Sequence, residues 1–252
     1  MIFVRCSGLP LRRTLGRVEE ASEKARGPVW ARETNKRRSA LTREAIVASA
    51  VTIADAEGLA AVSIRRVAAE LGARTMSLYT RIERKEDLLD LMFDEVAGEM
   101  SVAGGLPVGW RDAVIAIARN TREVMQRHPW MVDLAAQRSR VGPNGLRHAE
   151  QSLSAFAELD LDAEQKWRIL TAVDDYTFGH VMREGLERES LRREGSTRAE
   201  RDAVLQPYLS TLIESGDFPN LAPLMKNGLP SMDDNFEQGL AWLLDGISRD
   251  LP

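Results

Sequence analysis

The segment best equipped for chemistry is Ser63 to Arg81, which reads SIRRVAAELGARTMSLYTR. It holds Arg65, Arg74, Thr75, Met76, Ser77, Tyr79, Thr80 and Arg81, with Lys85 just beyond. Apart from Met76, these are hydrogen-bonding groups on forked or short side chains. A guanidinium fork matches the O6 and N7 acceptors of guanine, and hydroxyls near a helix start suit phosphates and base edges. Signs of bond-making chemistry are missing. His128, His148 and His180 are scattered, no H-E-x-x-H occurs, and no Gly-Lys-Ser/Thr follows Gly-Pro-Asn-Gly at 142–145. There is no G-x-S-x-G elbow either. Asp174 and Asp175 are neighbours, so on a helix their carboxylates diverge by about 100°. The chemistry is recognition of a polyanion; a helical enzyme is the remote alternative, and neither cofactor nor metal is expected.

The elements that must position these residues are helices. Ile64, Val67, Ala68 and Leu71 recur at i, i+3, i+4, i+7 behind the cap Ser63 and before Gly72. A tight turn through Ala73 leads to a second short helix, about Thr75 to Arg81, anchored by Leu78 and Ile82. Two short helices joined this way form a helix-turn-helix whose second member can lie in the major groove. Upstream, Thr42 caps a helix with Ile46, Ala50, Ile53 and Ala54 on one face and a stop at Gly58. Downstream, a longer helix starts near Lys85, carries Leu89, Met92, Phe93 and Val96, and ends towards Gly104–Gly105.

The rest reads as a helical body. A helix from Trp110 through Met125 stops at His128–Pro129. Pro129 opens a short helix to Arg138, and Pro143 another to about Leu159. An Asp162 to Gln165 capping box starts a long helix bearing Trp167, Leu170, Asp174, Phe178 and Val181. Residues 187–203 are dense in charge and read as a flexible connection, with Pro207 interrupting any helix begun at Thr197. Ser231 then caps a last helix with Phe236, Leu240, Leu243, Leu244 and Ile247 on one stripe. The fold class is all-α, with about nine or ten helices. The division is a basic arm over 1–38, a helix-turn-helix head over 39–100 and a body over 106–250.

Charge follows that division. Residues 1–86 carry 17 Lys and Arg against 10 Asp and Glu, a balance of +7. The net charge of −4 therefore leaves −11 on the remainder. Only the N-terminal end is suited to meet a polyanion. No stretch approaches the roughly 20 apolar residues of a membrane span. The short apolar start meets Arg5 too soon for a signal peptide, and the single Cys6 fits a reducing compartment, so a cytoplasmic protein is expected. The arm either tracks DNA through Lys36, Arg37 and Arg38 or is a dispensable tail.

Residues 42–96 resemble the DNA-binding head of the tetracycline-repressor (TetR) family. The resemblance rests on the T-x-E-x-I opening at Thr42, D-A-E-G-L at Asp55, S-I-R-R-V-A-A-E-L-G at Ser63, S-L-Y at Ser77 and K-E-D-L-L at Lys85. More loosely, the body resembles that of the tetracycline repressor through H-P-W at His128, G-P-N at Gly142, Y-T-F-G at Tyr176 and F-E-Q-G-L at Phe236. The resemblance implies a homodimeric repressor that binds double-stranded palindromic operator DNA and is released by a small-molecule inducer. A DNA-binding dimer without such a ligand, architectural or activating, stays open. Carried over, the pattern makes Arg65, Thr75, Met76 and Ser77 base or groove contacts, and Tyr79, Thr80 and Lys85 phosphate or sugar contacts. Position 76 is often proline or a small residue in the family; Met suits a thymine methyl instead.

For the body, Trp110, His128, Trp130, Trp167, Tyr176 and His180 are expected to line an apolar ligand pocket. Phe178 and the stripe Phe236, Leu240, Leu243, Leu244 and Ile247 are expected at the dimer interface. The tetracycline repressor holds a magnesium–drug chelate partly through a histidine beyond its sixth helix. Met131 to Gln137 contains none, so Mg-tetracycline is not the expected inducer.

Overall fold

The computed structural model describes Trp30 and residues 41–135, 142–225 and 235–251. Among these residues there are eleven α-helices and no strand.

The head is built on α1 (Arg43–Glu57). Thr42 Oγ1 accepts the Ala45 amide at 3.1 Å, satisfying one of the open N–H groups of the first turn. Ile46, Val47, Ala50, Ile53 and Ala54 form its buried face. Against that face pack α2 (Ile64–Glu70), α3 (Thr75–Tyr79) and the start of α4 (Lys85–Ala97). Alone, the five-residue α3 is far too short to persist in water. The fully buried Leu78 and Ile82 hold it, at about 1.5–3 kcal/mol each.

The body comprises α5 (Trp110–Arg127), α6 (Met131–Ala135), α7 (Pro143–Ser154), α8 (Ala163–Glu194), α9 (Arg198–Ser215), α10 (Ala222–Met225) and α11 (Phe236–Asp250). The capping box that opens α8 forms as the sequence predicts, with Gln165 N to Asp162 at 2.8 Å and Asp162 N to Gln165 at 2.9 Å. Helices α5, α8 and α11 enclose a core of Val114, Ala118, Leu170, Val173, Phe236, Leu240 and Leu244. A second core begins in the head and runs without a break into Met125, Trp130, Met131, Leu134 and Val181 of the body. The helix spanning that junction is α4.

Several expectations differ from the fold: the described residues form eleven helices against the nine or ten expected, and α4 ends at Ala97 instead of running towards Gly104–Gly105. The charged stretch 187–203 is helical for most of its length, because its charges pair within α8 and between α8 and α9 rather than repel. Glu189 bonds Arg192 and Arg193 at 2.8 Å each, and Glu187 meets Arg198 at 3.0 Å and Arg201 at 3.2 Å. Thr197 and Glu200 then form a capping box, and α9 continues through Pro207. The last helix starts after Asn235; Ser231, its expected cap, lies outside the described residues. The arm lies outside them too, except Trp30, which packs half-buried on the head core. No helix of the described residues is long and apolar enough to cross a membrane.

Candidate nucleic-acid interface and enclosed cavity

Ser63 Oγ caps α2 by accepting the Arg66 amide at 3.1 Å. Gly72, at φ +60°, makes the left-handed turn that ends it, and Ala73 N closes on Ala68 O at 2.9 Å. With Leu78 and Ile82 locked inward, Arg65, Arg74, Met76, Ser77, Tyr79, Thr80 and Lys85 are exposed, and Thr75 and Arg81 half-buried. None of these nine sits in the core. Two adjacent arginines behave differently. Arg66 is tied to Glu57 at 2.7 Å and to Glu70 at 2.6 Å. Arg65 makes no ion pair among the described residues and is available to an outside partner, as are Arg74 and Lys85. Thr80 donates its hydroxyl to Ser77 O at 2.7 Å, leaving its oxygen lone pairs to accept.

Behind this face, two hydrogen-bonded junctions join the head and α4 to the body. At the first, the Asp55 carboxylate at the end of α1 receives Trp130 Nε1 at 2.6 Å, and His128 Nδ1 lies 2.7 Å from the same oxygen. At the second, Asp94 of α4 accepts the amides of Asn144 and Gly145 at 2.9 and 3.0 Å. A carboxylate from one helix thus caps the N-terminus of α7. Gly142 is required there, since a Cβ would fall 2.1 Å from Asp94 Oδ1.

Between these junctions lies a partly open cavity of about 50 Å³. Phe93, Ala97 and Met100 supply one wall, Thr121 and Met125 of α5 another, and Met131 and Ala135 of α6 a third. Gly145 and His148 of α7 and Asp174 and Phe178 of α8 complete it. The lining is apolar with a few polar groups, which is the usual character of a small-molecule site. Both α6 and α7 begin at the junctions just described, so the walls and the head are mechanically connected.

None of the six residues expected to bind ligand lines this cavity. His128 and Trp130 belong to the Asp55 junction. Tyr176 donates to Phe236 O at 2.8 Å, and His180 is buried with its ring 5.1 Å from that of Phe236 and its Nε2 3.1 Å from Glu184. Trp110 packs on Phe156 beside a separate, open hollow of about 330 Å³, and Trp167 is half-exposed. His128, Trp130, Tyr176 and His180 are held in packed contacts of their own, while unbranched methionines line much of the cavity. The interface stripe is likewise turned inward. Phe236, Leu240 and Leu244 are buried within the protomer, Leu243 and Ile247 pack at the edge of that core, and Phe178 walls the cavity. Sequence reasoning missed Met100, Thr121, Met131 and His148, which come from four separate segments with no shared spacing.

The geometry defines the class: an all-helical helix-turn-helix protein whose linking helix runs from the exposed polar face of the head to a cavity-bearing body. Residues 104–251 match the family described as tetracyclin repressor-like, C-terminal domain. The HTH-type transcriptional repressor DrrR1 of Streptomyces coeruleorubidus is 37% identical over 82% of this chain and 77% of its own length. An HTH-type transcriptional regulator of Saccharopolyspora erythraea is 32% identical over 90% and 94%. The crystal structure of ActR from Streptomyces coelicolor in complex with actinorhodin superposes with a TM-score of 0.72 at 29% identity, covering 84% of this chain and 98% of that one. The chain belongs to the tetracycline-repressor family. It is a DNA-binding transcriptional regulator, not an enzyme.

Proposed function

We propose that this protein is a cytoplasmic, homodimeric repressor that leaves its operator when a small molecule fills the cavity between α4, α5, α6, α7 and α8. The head spans residues 39–100 and the body 106–250; Arg65, Arg74, Thr75, Met76, Ser77, Tyr79, Thr80, Arg81 and Lys85 form its DNA face. The carrying observation is the cavity's place: α4 starts at the DNA face with Lys85 and ends in the cavity wall with Ala97. At about 50 Å³ the cavity is smaller than the roughly 150 Å³ that admits benzene. A ligand must therefore push its walls apart, which strains the Asp55 and Asp94 junctions. By linkage, a ligand that favours the widened body weakens operator binding by the factor that operator weakens ligand binding. ActR, crystallised with actinorhodin, supports a ligand-responsive reading.

The test is binding to DNA from the protein's own upstream region at two salt concentrations, followed by a screen for compounds that release it. Selective, salt-sensitive binding reversed by a compound supports the reading. Selective binding that no compound alters leaves a regulator whose body serves dimerisation alone.

The first junction gives a narrower expectation. Asp55→Ala leaves Trp130 Nε1 buried without its acceptor, at a cost of about 1–2 kcal/mol given the carboxylate's partial exposure. The midpoint of unfolding should fall by about 2–8 °C, and amide exchange over residues 128–135 should accelerate. Unchanged exchange there would show that the junction does not restrain α6.

The dimer surface follows from exposure. Leu186 of α8 and Trp242 of α11 are 65% and 62% exposed, and Met182 of α8 is 41% exposed, large apolar groups left open to solvent. These two helices would build the bundle between copies. Introducing Leu186→Glu and Trp242→Glu together is expected to yield monomers by sedimentation at micromolar concentration. A dimer that survives both changes places the interface elsewhere.

A further inference from the structure

We infer that the cavity's ligand is a neutral hydroxylated aromatic, a phenol or naphthol-type ring system. Its O–H would meet Thr121 and Asp174, with its rings among Phe93, Phe178 and the methionines. The inference rests on the reading of the cavity as the effector site, and deepens it.

The first observation is Thr121. Threonines inside helices usually return their hydroxyl to the carbonyl four residues back. Thr52, Thr171, Thr177 and Thr211 all do so, to Ala48, Trp167, Val173 and Pro207, at 2.9–3.2 Å. Thr121 does not. Its side chain is 9% exposed, its oxygen is buried, and it has no hydrogen-bond partner among the described residues. An unpaired buried hydroxyl costs stability that a valine in its place would not. This one lines the cavity, the place where a partner can arrive.

The second observation is what surrounds it. Asp174, on α8, lines the same space and brings acceptor oxygens, whose lone pairs exceed what one partner can use. A ligand group that meets a hydroxyl and a carboxylate together must be able both to accept and to donate. An O–H does this. A ketone or ether cannot donate, and an anion must shed its water against the apolar lining. An ammonium group would suit Asp174, but it must shed its water among Phe93, Phe178, Met100, Met125 and Met131. Those same residues favour a flat aromatic body: two rings for edge or offset stacking, and thioethers that sit well at ring edges.

A matched probe set tests this on the full-length protein by calorimetry: 2-naphthol, naphthalene, 2-naphthoate and 1-naphthylmethylammonium. Two variants accompany it, Thr121→Val and the cavity-filling Ala135→Trp, each checked for helix content. 2-Naphthol should bind at least about 30-fold tighter than naphthalene, the size of one neutral and one charge-assisted net hydrogen bond, and tighter than either charged probe. Thr121→Val should cut that preference about five- to tenfold, the size of one net hydrogen bond, while its ligand-free melting temperature stays level or rises. Ala135→Trp should abolish binding of every probe. Should a charged probe bind best, or the naphthol preference stay undiminished in Thr121→Val, the ligand class is wrong, while loss of binding in Ala135→Trp still upholds the cavity as the site. Binding that survives Ala135→Trp, or no binding of any probe, overturns both.

Discussion

Replacing Arg65 with alanine is expected to lower operator affinity by roughly 30-fold to 10⁴-fold and to relax sequence selectivity. The size follows from symmetry. A guanidinium seated on guanine O6 and N7 contributes about 1–3 kcal/mol to discrimination, and a dimer on a palindrome uses it twice. Arg65 can take this role because none of the described residues pairs with it, whereas Arg66 is committed to Glu57 and Glu70. Lys85→Ala serves as the contrast. As a phosphate contact at the start of α4 it should weaken binding to all sequences alike and reduce the salt slope by about 2 per dimer. Fluorescence anisotropy on operator and scrambled duplexes, at 50 and 200 mM salt, separates the two. If Arg65→Ala weakens both duplexes in parallel, Arg65 touches phosphate only and the base-reading role passes to α3.

The head was legible in the sequence because each of its signals is local. Ser63, Gly72 and Leu78 fix a cap, a turn and an anchor within sixteen residues, and the outward positions follow from helical period once those are placed. The cavity was not legible, for the opposite reason. Its walls come from five helices, and its polar members Thr121, His148 and Asp174 share neither spacing nor neighbouring sequence. Composition drew attention to tryptophan and histidine instead, yet Trp130 and His128 are consumed by a single carboxylate, Asp55, seventy-odd residues away. The stripe on α11 shows a related limit. Period alone reveals that Phe236, Leu240 and Leu244 share a face, but a core inside one protomer and an interface between two leave the same pattern. Residues 187–203 mislead differently: a charge-dense run reads as linker until its i, i+3 and i, i+4 pairs are counted as helix-stabilising.

Arg122→Met is expected to be the most destabilising single change in the body, by about 3–5 kcal/mol, or a fall in unfolding midpoint of about 6–20 °C. Glu184 of α8 has a side chain only 2% exposed, and it sits at the heart of the α5, α8 and α11 packing. Burial alone would push its carboxyl up. The hydrogen bonds from Arg122 and Gln126, with the charges of Arg122 and His180, overcome that and hold it below the ordinary carboxylate value. Arg122 Nε lies 3.0 Å and Gln126 Nε2 2.8 Å from it, with His180 Nε2 at 3.1 Å. A folded-state value below the unfolded one means the stabilisation is present above the unfolded value and fades as pH falls through the folded one. In Arg122→Met the main counter-charge is gone, burial dominates, and Glu184 becomes easier to protonate than in the unfolded chain. The deficit against the parent protein should therefore be greatest near pH 7.5 and shrink towards pH 5, as Glu184 takes up a proton. Adding Glu184→Gln to Arg122→Met should recover at least half of the loss, because it removes the stranded charge and keeps a partner for Gln126. A competing origin is on view in the same place: the Arg122 guanidinium lies 4.7 Å above the ring of Phe236, so its removal also costs packing on the α11 core. Packing has no pH dependence in this range. A deficit that stays constant from pH 7.5 to 5 and resists Glu184→Gln would assign the effect to Phe236 instead of the buried carboxylate.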